Sequence, residues 1–395
     1  VNFRKCRSGL LGLLQSRSNL NQRSSVEGAM KLWLLPSLMA IYPCLRSSNL
    51  SKLRCTILAM SFLSLQMQAS ASQRENVSRD LSAFGRRTWD LAVPMLKARG
   101  GLAAAEFRGH LYALGGYDQT YKPLSSVEVF DGKSWKLAPS MQSVRYYLAT
   151  ADFKGSLYAI GGSVQMGTSA TATVEAFDGL AWHWAPPLTT PRSGLAASVF
   201  SGELFVVGGS DGTGISALAT VEAFDGKTWR QMPPMSSGRA FLATAVLGNG
   251  LFAIGGYDPL NFVLASVEVY RSNKWRDQAS MRSNRAGLAA VTCGNSIFAL
   301  AGSNSSVLGQ KTVEEFNGTR WLQAPSLPFG LDDTSAVCSP ASMLRALGGY
   351  AVEPNSGWER ASNHDGIDNS GVTDAVHVLE IFQMSESEHA GAYHI

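Results

Sequence analysis

Short apolar stretches alternate with turn residues along this chain, and the same order of stretches recurs about every 46 residues. In the copy that spans residues 99–138, a run of small apolar residues at 100–107 is followed by a second apolar run at 111–114 that ends in a glycine pair. A third run at 126–131 alternates apolar and polar side chains, and a fourth surrounds Trp135. Runs of this length, separated by turn residues, predict four short β-strands and no helix.

Two markers keep this period through the chain: a pair of small residues that ends the second run, and a tryptophan in the fourth. The pairs begin at Gly115, Gly161, Gly208, Gly255, Ala301 and Gly348, and the tryptophans are Trp89, Trp135, Trp182, Trp229, Trp275 and Trp321. A fixed period of this size indicates an array of one supersecondary unit. Six four-stranded sheets in series predict an all-β, six-bladed β-propeller, because each sheet must cover both faces with neighbours.

The two ends of the array are incomplete in complementary ways. No tryptophan follows the last alternating run at 378–382, whereas the run around Trp89 has no three strands before it. We therefore expect the N-terminal strand around Trp89 to complete the sixth blade and to close the ring. The predicted domains are a basic, Ser-rich leader at 1–80 that is disordered or serves targeting, the propeller at 81–384, and a short tail at 385–395.

Two charged residues also recur in phase with the repeats. A glutamate lies in each third strand and an arginine precedes five of the first strands: Glu128, Glu175, Glu222, Glu268, Glu314 and Glu380, with Arg99, Arg145, Arg192, Arg239 and Arg285. Residues that appear once per blade usually serve the blade, so we expect them to pair or to hydrogen bond inside it. The alternative is a ring of arginines that binds a ligand.

The order of these markers resembles the kelch repeat. One copy runs from Arg145 through the strand that ends at Gly161 and Gly162, then through Val174 and Glu175 to Trp182. The resemblance covers roughly residues 85–382. It implies a β-propeller that binds a partner without catalysis, as in the substrate-recognition domains of ubiquitin-ligase adaptors. The BTB domain and helical linker of those adaptors have no counterpart in the pattern of residues 1–80.

By the same resemblance, the residue after each glycine pair and the start of the first strand share one face of the propeller. The predicted partner-binding residues are Tyr117, Tyr146, Ser163, Ser193, Ser210, Tyr257, Ser303 and Tyr350. Tyrosine and serine at such positions suit a protein or peptide ligand, and ordinary turn formation is the alternative. If the five arginines are accessible there, an acidic peptide is favoured. We expect the propeller to be monomeric.

The search for chemistry points to no catalytic set, metal or cofactor. The six histidines fall at unrelated positions of the repeat. The loop at 351–374 carries Asn and Asp residues that are either calcium ligands or part of a solvated insertion. The alternative function is a kelch-fold enzyme, an epimerase or hydrolase, that acts on a sugar. Convergent acids, an arginine and a tyrosine in a deep central pocket would favour it.

Charge separates the leader from the rest of the chain. Residues 1–74 contain 10 Lys and Arg and one acidic residue, which leaves 24 basic and 29 acidic residues beyond them. The propeller therefore lacks the basic surface of a nucleic-acid-binding protein. The leader resembles a transit peptide for a plastid or mitochondrion, or a signal peptide from Met30 onward; without targeting meaning, the location would be cytoplasmic. Its apolar runs are too short to span a bilayer.

Five cysteines are present, and three of them lie in the leader. The two in the propeller, Cys293 and Cys338, show neither metal-ligand spacing nor a disulfide framework. We expect Cys293 to be a small core residue, and this cysteine usage to favour a reducing compartment.

Overall fold

The computed structural model of the chain describes residues 88–165, 170–212, 217–339, 342–352 and 371–380. The regular secondary structure of these residues consists of 26 β-strands, and 24 of them form six four-stranded antiparallel sheets. The predicted all-β, six-bladed propeller is confirmed. Among these residues no helix is long and apolar enough to cross a membrane. The predicted leader and tail, and most of the loop proposed for calcium, lie outside the described residues.

The described part of the chain begins with a short strand of the sixth blade, and blades 1 to 6 then follow in sequence order. The first strand is β1 (Asp90–Leu91). Blades 1 to 3 consist of β2 (Ala103–Phe107), β3 (His110–Leu114), β4 (Val127–Phe130) and β5 (Trp135–Ala138); β6 (Ala149–Phe153), β7 (Ser156–Ile160), β8 (Val174–Phe177) and β9 (Trp182–Ala185); and β10 (Ala196–Phe200), β11 (Glu203–Val207), β12 (Val221–Phe224) and β13 (Trp229–Met232).

The remaining blades follow the same plan, with one added ribbon of two short strands. Blades 4 and 5 consist of β14 (Ala243–Leu247), β15 (Gly250–Ile254), β16 (Val267–Arg271) and β17 (Lys274–Gln278), and of β18 (Ala289–Cys293), β19 (Ser296–Leu300), β20 (Val313–Phe316) and β21 (Trp321–Ala324). The last strands are β22 (Gly330–Asp332), β23 (Ser335–Ser339), β24 (Met343–Leu347), β25 (Tyr350–Val352) and β26 (Val376–Glu380). Strands β22 and β25 pair with each other.

Each blade is an antiparallel meander whose first strand lies innermost. The six inner strands are β2, β6, β10, β14, β18 and β23, and each packs beside the inner strands of the two adjacent blades, so that they form a full circle. Alanine recurs on them, as at Ala103 and Ala149. Small side chains let six strands converge on one axis.

The tryptophan of each blade joins it to the blade before. Trp182 is buried among residues of blade 1 such as Phe107 and Leu114, and its indole Nε1 donates to the carbonyl of Pro139, at 2.8 Å. All six tryptophans make the equivalent bond, to the carbonyls of Pro325, Val93, Pro139, Pro186, Pro233 and Ala279. A large ring with one satisfied donor therefore marks every junction between blades.

The glycine pairs are required where the chain turns beneath the next blade. Gly161 has a φ of +59°, and a β-carbon there would lie 2.6 Å from the carbonyl oxygen of Arg192. Gly162 has a φ of +92°, and its β-carbon would lie 2.8 Å from the carbonyl oxygen of Tyr146. Only glycine takes such a conformation in so little space without strain. Ala301, at the start of the fifth pair, keeps the same backbone with a φ of 61°.

The sixth sheet is built from both ends of the described chain. Its strand order is β1-β26-β24-β23, and Asp90 and Leu91 of β1 lie opposite Val378 and His377 of β26. The amide of Ala92 extends this pairing by donating to the carbonyl of Val376, at 2.8 Å.

The two propeller cysteines correct the sequence analysis. Cys293 ends β18 of blade 5, Cys338 lies in β23 of blade 6, and the two form a disulfide with a Cα–Cα distance of 5.4 Å. Their separation of 45 residues is about one repeat, so adjacent inner strands bring them side by side. The expectation of two free cysteines was wrong. Their use therefore no longer favours a reducing compartment, since disulfides persist in oxidising ones.

We expect deletion of residues 86–93 to destabilise the whole propeller, because the deletion removes β1 and the Trp89 contact with blade 5. Thermal unfolding followed by circular dichroism should show one cooperative transition at a lower midpoint. Leu91→Ala is the matched control, since this side chain is 72% exposed and should change the midpoint little. An unchanged main transition after the deletion would contradict the expectation.

Candidate functional site

The recurring arginines and glutamates form five buried ion pairs, one in each of blades 1 to 5. In blade 3, Nη2 of Arg192 donates to Oε1 of Glu222 at 2.8 Å, and Nη1 donates to the carbonyl of Gly208 at 2.9 Å. Oε2 of Glu222 accepts the amide of Thr189 at 2.8 Å. Each pair thus links the loop before the first strand, the glycine pair and the third strand of one blade.

Burial decides what these arginines do. Their exposure ranges from 0 to 2%. Desolvation lowers the pKa of Arg192, and the charge of Glu222 and its hydrogen bond act against that shift. The condition for an acidic ligand was an accessible ring of arginines, and it is not met. The proposed ring of Arg99, Arg145, Arg192, Arg239 and Arg285 is therefore corrected to a set of structural ion pairs.

The eight predicted partner-binding residues do lie at one end of the propeller, which we call the Gly-pair face because the glycine pairs turn there. They join neighbouring loops through isolated bridges, such as Tyr146 with Ser163 and Ser193 with Ser210. Five side chains are buried and three are half-buried: Tyr117, Tyr146, Ser163, Ser193 and Ser303, and then Ser210, Tyr257 and Tyr350. Most of these side chains are therefore buried beneath the surface of the face. Their role in binding stays a prediction.

A closed circle of six backbone hydrogen bonds surrounds the axis at the Gly-pair face. In each blade one residue supplies both the donor amide and the acceptor carbonyl, and its two hydrogen bonds join the blade to its two neighbours. This residue lies two positions after the arginine site, which is the position of the recurring arginine in blades 1 to 5 and of Leu331 in blade 6. The members of this axial circle are Gly101, Tyr147, Gly194, Phe241, Gly287 and Asp333. The six N···O distances lie between 2.7 and 3.1 Å.

The axial circle alternates glycine with a large side chain. All six members have positive φ, including 53° at Tyr147, 55° at Phe241 and 52° at Asp333. A β-carbon on Gly101 would lie 2.8 Å from the ring of Tyr147, and one on Gly194 would lie 3.1 Å from the ring of Phe241. Each glycine therefore makes room for the side chain of the next blade, and three side chains converge on the axis.

Asp333 and its neighbour Asp332 bring two carboxyl groups to this mouth. Oδ2 of Asp333 accepts hydrogen bonds from the hydroxyls of Tyr147 at 2.8 Å and Tyr117 at 3.3 Å. Oδ2 of Asp332 accepts one from the hydroxyl of Ser303 at 2.5 Å. Burial and the nearby charge of Asp332 raise the pKa of Asp333 to about 7, against the effect of the two tyrosine hydrogen bonds. Burial also raises the pKa of Asp332 to about 6.

The mouth inside the axial circle is small. A cavity of about 80 Å³ lies there, with Tyr147, Phe241 and Asp333 on its wall. That volume equals the share of roughly three water molecules and lies below the roughly 300 Å³ at which pockets for whole small molecules begin. It fits the end of one side chain.

Family models recognise a kelch motif three times, at residues 98–142, 191–236 and 238–282, which correspond to blades 1, 3 and 4. Three of the six blades therefore match the kelch motif. The other three blades have the same four-stranded sheet, although the fifth has Ala301 in its glycine pair and the sixth has Leu331 at the arginine site.

Comparison with whole proteins adds the fold and no activity. No curated protein matches the chain. The solved structure of YjhT is similar, with a TM-score of 0.59 and 15% sequence identity, over 71% of this chain and 95% of that one. At this identity the likeness shows the propeller fold alone.

The sequence analysis missed the axial circle, although its six residues occupy one position of the repeat. Aligning the repeats on the arginine site places Gly, Tyr, Gly, Phe, Gly and Asp at one position. The alternation appears only when that position is compared across all six blades.

The other end of the axis, which we call the hairpin end, holds a larger and more polar cavity. Its volume is about 570 Å³, and Glu106, Arg108 and Asp152 contribute charged groups to its wall. Cys338 of the disulfide and Thr292 also line it. Among the described residues, no group of three or more His, Cys, Asp and Glu side chains is placed to hold a metal ion.

Replacing Arg192 with lysine should destabilise the propeller by about 3 kcal/mol, because lysine keeps the charge but loses the guanidinium hydrogen bonds to the carbonyls of Gly208 and Thr220. Urea unfolding measures the loss. Arg230→Lys is the matched control: Arg230 pairs with Glu203 at 2.7 Å, but its side chain is 51% exposed, so little should change. Equal losses in the two variants would contradict a structural role specific to the buried pairs.

Asp333→Asn should make stability less dependent on pH. Because the pKa of Asp333 is raised to about 7, the folded chain holds a proton that the unfolded chain releases near pH 4, and wild-type stability falls as the pH rises from about 4 to 7. The variant should exceed wild type by up to roughly 4 kcal/mol at pH 8 and match it near pH 4. Thermal unfolding at both values tests this.

Asp118→Asn is the control for that measurement and should change stability in the opposite direction. Burial alone would raise the pKa of Asp118, but hydrogen bonds from Thr120, Lys122 and Lys97 lower it to about 2. Its charge therefore stabilises the folded chain above pH 4, and the variant should be less stable than wild type at pH 8. The same sign for both variants would contradict the placement of Asp333.

Proposed function

We propose that the Gly-pair face binds a protein or peptide segment, and that this is the function of the propeller. The observation that carries the proposal is a group of exposed apolar side chains on the loops that follow the glycine pairs, which we call the apolar crown. Its members are Tyr121, Val164, Leu260, Phe262, Val307 and Leu308, with exposures of 44, 37, 75, 65, 48 and 53%.

The crown comes from four blades and surrounds one mouth. Tyr121 belongs to the loop of blade 1, Val164 to blade 2, Leu260 and Phe262 to blade 4, and Val307 and Leu308 to blade 5. Exposed apolar side chains that occur singly are ordinary, whereas several on one face are typical of an interaction site. A partner that covers several blades would bury them together.

The loops hold these side chains outward in fixed conformations. In blade 4, Oδ1 of Asp258 accepts the amides of Leu260 at 2.8 Å and Phe262 at 2.9 Å. In blade 1, Oδ1 of Asp118 accepts the amides of Thr120 and Lys122 in the same way. A loop that is ordered before binding loses less conformational entropy when a partner arrives. This order supports recognition of a partner.

Recognition of a substrate for a ubiquitin ligase is a finer role that only the family resemblance implies. The apolar crown would serve any partner with a complementary apolar surface, so the contacts support binding and leave that role as a proposal. The partner-binding residues predicted from sequence, such as Tyr257 and Ser210, would lie beside the crown and contribute the polar part of the contact.

The proposal predicts that the crown residues carry the affinity for a partner. Peptides selected on the full chain from a phage-displayed random library should bind the variant Leu260→Ser/Phe262→Ser/Leu308→Ser about tenfold or more weakly, since buried apolar anchors dominate binding. Titration calorimetry with the synthesised peptides measures the affinities.

A matched control has equally exposed apolar residues replaced away from the Gly-pair face. Leu137, Leu180 and Trp184 are 72, 84 and 55% exposed and lie on two outer strands and a turn at the hairpin end. The variant Leu137→Ser/Leu180→Ser/Trp184→Ser should keep the wild-type affinities. Peptides that lose affinity only for this control variant would contradict the proposal.

A second candidate function is a sugar-acting enzyme, an epimerase or hydrolase, and the cavity at the hairpin end favours it. Its volume of about 570 Å³ is that of a small-molecule pocket, and Glu106, Asp152 and Arg108 suit a ligand rich in hydroxyl groups. No tyrosine lines the described part of this cavity. Saturation-transfer NMR with a panel of monosaccharides tests it: a sugar signal that Glu106→Gln removes supports the enzyme, and no signal from any sugar removes the candidate.

A further inference from the structure

The mouth of the axial circle has the composition of a cation site. Asp333 lies on one side and the rings of Tyr147 and Phe241 lie on the others, at the wall of one cavity. Among the described residues, neither Asp332 nor Asp333 takes part in an ion pair. The five buried arginines form ion pairs with glutamates within the blades. Within the described residues, the acidic groups of the mouth therefore have no basic side chain paired with them.

The aromatic rings make an organic cation a better match than a bare metal ion. Tyr147 and Phe241 meet edge to face with their centroids 4.8 Å apart, and Phe241 also meets Tyr257 edge to face at 6.2 Å. Ring faces attract an ammonium group within about 6 Å through their quadrupole, by roughly 0.5–2 kcal/mol. A carboxylate and two or three rings around one small space are the elements of such a site.

The structure holds these side chains in place at a cost to the backbone. Positive φ at a non-glycine residue is unfavourable by roughly 1–2 kcal/mol, and glycine occupies the same position in blades 1, 3 and 5 without that strain. Tyr147, Phe241 and Asp333 are thus present where glycine would give a more stable circle. Strained residues held by their surroundings gather at functional sites.

The size of the mouth selects a small group. A volume of about 80 Å³ accommodates an ammonium group and its last methylenes, while a sugar or an aromatic ring needs more. The apolar crown surrounds the mouth, so a segment bound to the crown has its side chains directly above it. The hydroxyls of Tyr117 and Tyr147 already approach Asp333 and would remain as donors beside the cation.

We propose that the axial mouth binds the ammonium group of a lysine side chain, which a segment bound to the Gly-pair face inserts between Tyr147, Phe241 and Asp333. The ammonium chemistry stands on the mouth alone. The lysine as its source rests on the proposed function of the Gly-pair face. The partner is thus a segment with apolar residues and a central lysine, in place of the acidic peptide that accessible arginines would have indicated.

Binding should strengthen as the pH rises from 6 to 8, because the site must release a proton to pair with the cation. The titratable groups that face Asp333 are Asp332, Tyr117 and Tyr147, with Tyr257 further out. Burial raises the pKa of Tyr117, Tyr147 and Tyr257 above its usual value. The three phenols therefore stay neutral over this interval, and the change in binding reports the two carboxyl groups.

The test uses the full chain and small probes, with binding followed by NMR. N-acetyl-lysine N-methylamide should bind at millimolar concentration, and the uncharged N-acetyl-norleucine N-methylamide should bind at least tenfold more weakly. Asp333→Asn and Phe241→Leu should each weaken binding of the lysine probe several-fold, whereas Asp131→Asn, which removes a charge in the β4–β5 turn at the hairpin end, should not. Equal binding of the two probes, or full affinity in Asp333→Asn, overturns the proposal.

Further arms of the experiment separate the source of the ammonium group from the chemistry of the mouth. Tetramethylammonium tests a free organic cation, and tighter binding of this ion than of the lysine probe would overturn lysine as the source. Replacing the crown residues Leu260, Phe262 and Leu308 with serine should leave lysine-probe binding unchanged while weakening the selected peptides. Peptides that keep their affinity for the crown variant would refute the proposed function alone, and loss of probe binding in it would refute a mouth that acts independently.

Discussion

The circle of six backbone hydrogen bonds around the axis is the constraint on which the rest of the Gly-pair face depends. It allows each blade one amide and one carbonyl at the axis, and it closes with N···O distances of 2.7 to 3.1 Å while all six residues adopt positive φ. The chain satisfies this with glycine in three blades. In the other three it accepts backbone strain and gains a side chain at the axis. The width of the mouth and the chemistry of its wall follow from that division.

Residues that repeat in every blade stabilise the propeller. Residues that differ between blades give its two faces different shapes and charges. The arginine–glutamate pairs, the indole hydrogen bonds and the glycine pairs are buried at equivalent places around the ring. Asp333, Phe241 and the crown residue Phe262 have no equivalent in neighbouring blades. Six-fold repetition supplies a rigid ring, and the exceptions to it supply a surface with a particular shape and charge.

The architecture could be predicted from the sequence because its signals are local and repeated. A glycine pair and a tryptophan at constant spacing place the second and fourth strands of each blade, and period-two alternation places the third. The end of the propeller at which Tyr117 and Ser163 lie also followed from their position after a glycine pair. Their burial did not, since it depends on contacts between separate loops, such as the bridge of Tyr146 with Ser163.

Other features could not be predicted because they depend on contacts between repeats. Cys293 and Cys338 occupy adjacent inner strands, and a separation of about one repeat is not a spacing that marks a disulfide. The apolar crown consists of residue types that also fill the core, so composition does not distinguish Phe262 from the buried Phe252. The charge state of Asp333 is set by burial beside Asp332 and by two tyrosine hydroxyls from other blades.

The disulfide gives the ring a mechanical asymmetry. It adds a covalent cross-link between the inner strands of blades 5 and 6, beyond the single chain connection that successive blades share. The chain is discontinuous within blade 6, where the neighbouring strands β26 and β1 come from opposite ends of the propeller sequence. A force that pulls the two ends of the propeller apart would therefore act first on the pairing of β1 with β26, while the disulfide holds β23 to blade 5.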